Sequence, residues 1–289
     1  MNGIWADLST PLIMGILLGG LYTVIALGLS LVFGVMRLIN VAHGDLVVFG
    51  SYFAYAIITF SGIDPILSLV MGVPLLFVIG FAIQRYLMAR AFQVSMEAPL
   101  IIAFGVSLIL ENVYQIMFSP MSRGISTSYS MESFTIGEVY IPVVYLLNFI
   151  VALVVMLALH GFLKRTYLGQ AIIASSQDGG AAQLMGINTS RIYALTFGIA
   201  AATAAVAGVF LGLTFPFTPV SGIAFLIIAF GVVILGGLGS ILGTFVGGMI
   251  LGLAQTLGAH FIGAKAQMLV LYVMVLIVLA VRPQGLFGR

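Results

Sequence analysis

The chain has 289 residues, 62% of them hydrophobic and only 6% charged, with a formal net charge of +2. A soluble domain carries about 25% charged residues and one core buries only about three quarters of a chain's surface, so this much apolar area must face lipid. With ten scattered basic residues, three distant histidines (His43, His160, His260) and no cysteine, the chain offers no nucleic-acid patch, disulfide, thiolate site or zinc-protease motif, and no metal site is expected.

The reading is an all-α polytopic membrane protein forming one domain over 1–289. The N-terminal run MNGIWADLST has no basic stretch and is not read as a cleaved signal peptide. A crossing needs about 20 mostly apolar residues, which places spans at 11–35, 65–84, 98–118, 140–160, 192–215, 222–238, 241–259 and 266–281. Between the first two, 46–61 is apolar but short, so the count is eight or nine, and 37–61 is either a full span or a broken, re-entrant one. If Lys164, Arg165 and Arg191 flank a cytoplasmic loop, nine crossings also put Arg37, Arg85, Arg90, Arg282 and Arg289 inside. Only Arg123 and Lys265 then fall outside, in accord with the positive-inside rule. The N-terminus is accordingly expected outside and the C-terminus inside.

Two loops are long enough to carry function. The stretch 119–139 is polar and expected outside. The stretch 164–191 is expected inside and helical over 170–185, with Gly186 as its stop and Asn188 as a fresh N-cap. A helical cytoplasmic loop reads as a docking element. Small residues recur every four positions at Ala200, Ala204, Gly208 and Gly212 and at Gly239, Gly243 and Gly247; such stripes either let helices approach closely in lipid or line a pore.

Several segments resemble the permease of branched-chain amino-acid ABC importers, the LivH type. They are GLSLVFGVMRLINVAHGD at 28–45, GAAQLMGI at 180–187, GGLGSILG at 236–243 with Gly247 and Gly248, and RPQGLFG at 282–288. The resemblance implies an ABC importer permease fold and a subunit that conducts substrate without hydrolysing ATP. The residues agree, because no GxxxxGK[ST] phosphate loop occurs; no cofactor and no catalytic residue are expected in this chain. The implied partners are two ABC ATPase subunits, a second related permease or a second copy of this chain, and a periplasmic substrate-binding protein, in a bacterial inner membrane. The implied cargo is a neutral, aliphatic amino acid, relatives also carrying urea or amides. An ion-coupled secondary transporter is the rival class; it would want intramembrane charges on several helices.

Importer permeases of this kind carry a Glu-Ala-Ala-x3-Gly docking motif. Ala181, Ala182 and Gly186 match it, Gly180 stands where the Glu would be, and Asp178 supplies a charge two residues earlier. In 40–45, Gly44 is a poor helix-interior residue and Asp45 a good N-cap for a helix from Leu46 onward. A helix that stops near Ile39 and restarts at Asp45 would make Asn40, His43 and Asp45 part of the substrate path or its gate, with Gly236–Gly239 as the counterpart in the second half. The alternative is an ordinary cytoplasmic turn. Glu111 lies inside a span with Ser107 and Gln115 one turn either side; it either meets a substrate ammonium or bonds a neighbouring helix.

Overall fold

The computed structural model describes residues 2–95, 97–136, 139–282 and 285–287, with residues 2–7 by backbone alone. Pro283, Gln284 and Gly288 of the C-terminal motif, and Arg289 of the charge map, lie outside the described residues. Among the described residues eight helices are long and apolar enough to cross a membrane.

The first helix, α1 (Asn2–Met36), starts well before the expected residue 11 and runs through Pro11. It is followed by α2 (His43–Ser61), α3 (Leu69–Ala82), a π-helical stretch Ile83–Met88 and α4 (Ala89–Ala91). The third crossing therefore continues beyond the expected end at 84, carrying Arg85 and Arg90 on its last turns. Next come α5 (Ala98–Phe118), bounded as expected, and a hairpin of β1 (Ser133–Ile136) and β2 (Val139–Pro142), paired antiparallel with Ser133 opposite Pro142. This hairpin takes the residues expected to open the next span, so α6 (Val143–Arg165) begins later and ends later than the apolar run alone indicates.

The stretch expected to be cytoplasmic holds α7 (Tyr167–Gln177) and α8 (Gly179–Leu184). The remaining helices are α9 (Thr189–Thr214), α10 (Gly222–Gly236), α11 (Ile241–Phe261) and α12 (Gln267–Val281). With 15 residues, α10 is about 22 Å long at 1.5 Å per residue, too short to cross the roughly 30 Å hydrocarbon layer alone.

Basic residues gather at one end. Arg85 Nη1 donates to Ser190 Oγ at 3.0 Å, joining the end of the third crossing to the start of α9. The α10–α11 turn packs there too, Gly239 against Gly34 near the end of α1. The described tail returns to the same place, Leu286 N donating to Leu235 O at 2.9 Å. Arg123 lies in the loop after α5, bridged to Phe217, and Lys265 in the short turn before α12, both at the other end of the crossings.

Helices α1, α2, α3 and α5 are matched in order by α9, α10, α11 and α12, running the opposite way. The packing is matched as well: α1 lies along α11 as α9 lies along α3. α1 and α9 are almost wholly buried at the centre, while α5 and α12 expose apolar rows such as Ile101, Phe104 and Ile109, and Leu269, Leu276 and Ile277.

The small residues set these approaches. A Cβ at Gly19 would fall 2.6 Å from Gly248 O, and one at Gly208 would fall 2.7 Å from Gly50 Cα. Ala200, Ala204 and Gly208 are buried against α1 and α2, so this stripe is packing rather than pore lining. Gly239 is not on the α11 face with Gly243 and Gly247: it sits in the preceding turn at φ 81°.

Candidate functional site

After Met36 the chain leaves the helix, Arg37 taking a left-handed φ of 52°, and 37–42 folds back into the bundle. The ring of His43 ends 2.8 Å from Ile25 O, Nε2 to oxygen. Ile25 lies eleven residues before Met36, so the return climbs about 16 Å along α1. The segment is no cytoplasmic turn. Asn40, His43 and Asp45 are each 1% exposed, deep in protein, where irregular backbone is tolerated.

The break differs from the expected one in detail. Helix α2 starts at His43, its N-cap is Ala42, and no side chain caps it. Asp45 lies in the first turn instead, accepting a hydrogen bond from Ser107 Oγ on α5. Tyr114, a further two turns along α5, donates from its hydroxyl to Asp45 O at 3.0 Å. Glu111, half-buried on the same helix, is within electrostatic reach of Asp45. Ser107 and Glu111 thus point toward α2, whereas Gln115 is exposed.

The counterpart in the second half is 215–221, not Gly236–Gly239, which only joins α10 to α11. Pro216 and Pro219 deny this stretch helical amides. Phe217 lies edge-on to Tyr52 at 4.9 Å, and Gly222, first residue of α10, touches both Gly44 and Asp45. Tyr52 and Gly44 are two turns apart on α2, so this segment descends into the bundle as 37–42 ascends. The N-termini of α2 and α10 therefore meet in the interior, each presenting the positive end of its dipole. The Asp45 carboxylate stands between them: Oδ1 has no hydrogen-bond partner among the described residues and lies where a Cβ on Gly222 would be. Discontinuous helices that meet in this way are where transporters place their polar machinery.

The second region is the stretch 164–191, expected on the cytoplasmic side. The expected single helix over 170–185 is two, because Asp178 breaks it: its side chain accepts from Ala181 N at 2.9 Å and caps α8. Asp178 is thus a helix cap, and it holds the Gly180–Ala181–Ala182 turn in place. Gly186 ends α8 at φ 84°. Ile187 N donates to Ala182 O at 3.0 Å and Gly186 N to Gln183 O at 2.9 Å, the paired bonds of a Schellman stop that needs this left-handed residue. Asn188 caps α9 as expected, accepting from Arg191 N at 3.0 Å.

Gly180, Ala181 and Gly186 are exposed, but Ala182 is 5% exposed and faces the chain itself. The outward face that the sequence did not reveal is Leu184 and Met185, 91% and 82% exposed. On its inner side α7 buries Ala171 and Ile172 against Leu31 and Val35 of α1, Met156 and Leu159 of α6, and Ile192. Helix α7 is thus packed against three crossings.

The family model for the "branched-chain amino acid transport system / permease component" matches residues 12–279. The chain is 36% identical to the high-affinity branched-chain amino acid transport system permease protein BraD of Pseudomonas aeruginosa, over 96% of this chain and 95% of that one. It is 33% identical to the corresponding permease LivH of Escherichia coli K12, over 95% and 94%. A solved structure titled "PsaBC from Streptococcus pneumoniae in complex with Fab" shares the fold, with a TM-score of 0.52, 14% identity and coverage of 96% and 92%. The chain belongs to the permease components of branched-chain amino-acid ABC transport systems, multi-pass membrane subunits that transport rather than catalyse.

Proposed function

We propose that this chain carries a branched-chain or other neutral aliphatic amino acid into a bacterial cytoplasm across the inner membrane. It works beside a second permease, related or identical, with two ATPase subunits on the basic end and a periplasmic binding protein opposite. ATP is bound by the partner subunits. The observation that carries the reading is the rigid, doubly capped α8: it presents Leu184 and Met185 to the cytoplasmic side and is braced through α7 on three crossings. An exposed apolar pair on a braced helix is a lever for a partner that closes on ATP.

In this reading the meeting point of α2 and α10 is the gate. Asp45 joins the two helix starts, His43 ties the returning segment that carries Asn40 to α1 at Ile25, and Glu111, half-buried near Asp45, attracts the substrate ammonium. Closure of the ATPases pushes α7 and α8 against α1 and α6, and the broken helices, which lack continuous backbone bonding, yield first.

The test is uptake of labelled leucine by the complete transporter in proteoliposomes, with ATP inside and saturating binding protein. Expected is ATP-dependent leucine uptake that proton and sodium ionophores leave intact. Uptake driven by an ion gradient without ATP would overturn the class. Uptake of urea or acetamide in place of leucine would overturn the cargo.

A further inference from the structure

Arg123, one of the two basic residues at the face opposite the ATPase side, is held with unusual care. Its Nη2 donates to Phe118 O at 3.0 Å and its Nη1 to the Tyr55 hydroxyl at 3.2 Å. Its backbone bonds Phe217 in both directions at 2.8 Å, which pins it to the second re-entrant segment. Its buried Nε has no hydrogen-bond partner among the described residues.

A second donor is in the same condition. Tyr52, 2% exposed, stacks on Phe118 at 4.6 Å and on Tyr114 at 5.0 Å. Its buried hydroxyl has no hydrogen-bond partner among the described residues and lies within electrostatic reach of the Arg123 guanidinium. A buried donor left unpaired is costly, and two so close together need an explanation. Beside the Tyr52 ring a cleft of about 150 Å³ opens between α2 and α5, lined by Phe49, Phe53, Val113, Met117 and Phe118 together with Tyr52. Its walls are almost wholly apolar.

We propose that this is the first substrate seat on the external side: the Arg123 Nε–H and the Tyr52 hydroxyl grip an amino-acid carboxylate, and the aliphatic side chain enters the aromatic cleft. Arginine suits a carboxylate because its donors are planar and permanently charged. The proposal rests on the amino-acid reading above and adds the residues that recognise the cargo once the binding protein releases it.

The test uses the complete transporter and two conservative variants. Tyr52→Phe keeps the ring stack and drops only the hydroxyl; Arg123→Lys keeps the charge and drops Nε–H. Equilibrium dialysis of labelled leucine against the detergent-purified transporter, without binding protein, reads the seat directly, with leucinol as the competitor that lacks a carboxylate. Expected are millimolar leucine binding to wild type that leucinol does not displace, and about tenfold weaker binding in each variant. Uptake should fall about tenfold while ATPase stimulation by loaded binding protein stays within twofold. Wild-type affinity and uptake in Tyr52→Phe, or displacement by leucinol, would overturn the seat, leaving a site for water only. So would uptake by wild type without measurable leucine binding. Absence of amino-acid uptake by wild type would instead bring down the functional reading itself.

Discussion

Gly222→Ala tests the meeting of the two broken helices most directly. The new methyl would land on the Asp45 carboxylate, 2.6 Å from its Cγ and 3.0 Å from Asp45 N. The carboxylate cannot swing aside freely, because Ser107 holds it and the residue is buried on all sides. Overpacking of this kind costs about 1–3 kcal/mol, a 5- to 140-fold drop in the folded-to-unfolded ratio at about 1.4 kcal/mol per tenfold. Gly161→Ala is the control: nothing lies within 4 Å of its Cβ position on α6, so alanine there should stabilise by about 0.5–1 kcal/mol. The assay is reversible unfolding by SDS in mixed micelles, followed by circular dichroism. Adding Asp45→Ala to Gly222→Ala should return part of the loss, a non-additivity of at least about 0.5 kcal/mol for residues in contact. Equal stability of Gly222→Ala and wild type, or strict additivity in the double variant, would refute the contact.

Leu184→Asp should cut binding-protein-stimulated ATPase activity and uptake by about tenfold, with stability changed by less than about 0.5 kcal/mol, as for other exposed positions; wild-type uptake would remove α8 from the coupling. Asp178→Ala should cost about 1 kcal/mol locally, for a lost cap, visible as faster amide exchange confined to 179–186. A cysteine introduced by Ser128→Cys should react with an impermeant maleimide added outside right-side-out vesicles, and one introduced by Gln177→Cys should not; labelling of the second would invert the orientation. Tyr129 donates to Asp64 Oδ1 at 3.3 Å between two loops at the same end of the crossings, and burial pushes its hydroxyl up to about 12. The folded state therefore keeps a proton that the unfolded chain loses near pH 10, so stability should fall as pH rises from 10 to 12, and Tyr129→Phe should flatten that fall.

The long apolar runs made the crossings legible, and α5 was bounded to the residue, because apolar side chains at span length leave lipid as the only partner. What escaped was set by contacts between distant segments. The break at 40–45 showed in Gly44 and its polar neighbours, but its depth depends on the His43 ring meeting Ile25. Its counterpart carried a signal of its own in Pro216 and Pro219; the glycines at 236–239 compete with that signal because both motifs break helices. Asp178 read as a charge near a docking helix, yet its Asp-x-x-Ala spacing was already that of a cap. Arg123 looked like an exception to a charge rule, and nothing local announces that Tyr52, 71 positions earlier, shares its surroundings.

The glycine seam between α1 and α11 has a consequence for how the protein is made. Helix α1, synthesised well before α11, finds its closest partner there: Tyr22 donates to Gln255, and Thr256 Oγ1 reaches Pro11 O at 2.8 Å. At about 5–20 residues per second, α1 waits on the order of tens of seconds in the bilayer with that face bare. Its Tyr22 hydroxyl meanwhile lacks its final acceptor. Assembly of the central bundle is thus a late event, and a chain cut short before α11 would present an uncovered glycine groove to the membrane's quality-control proteases.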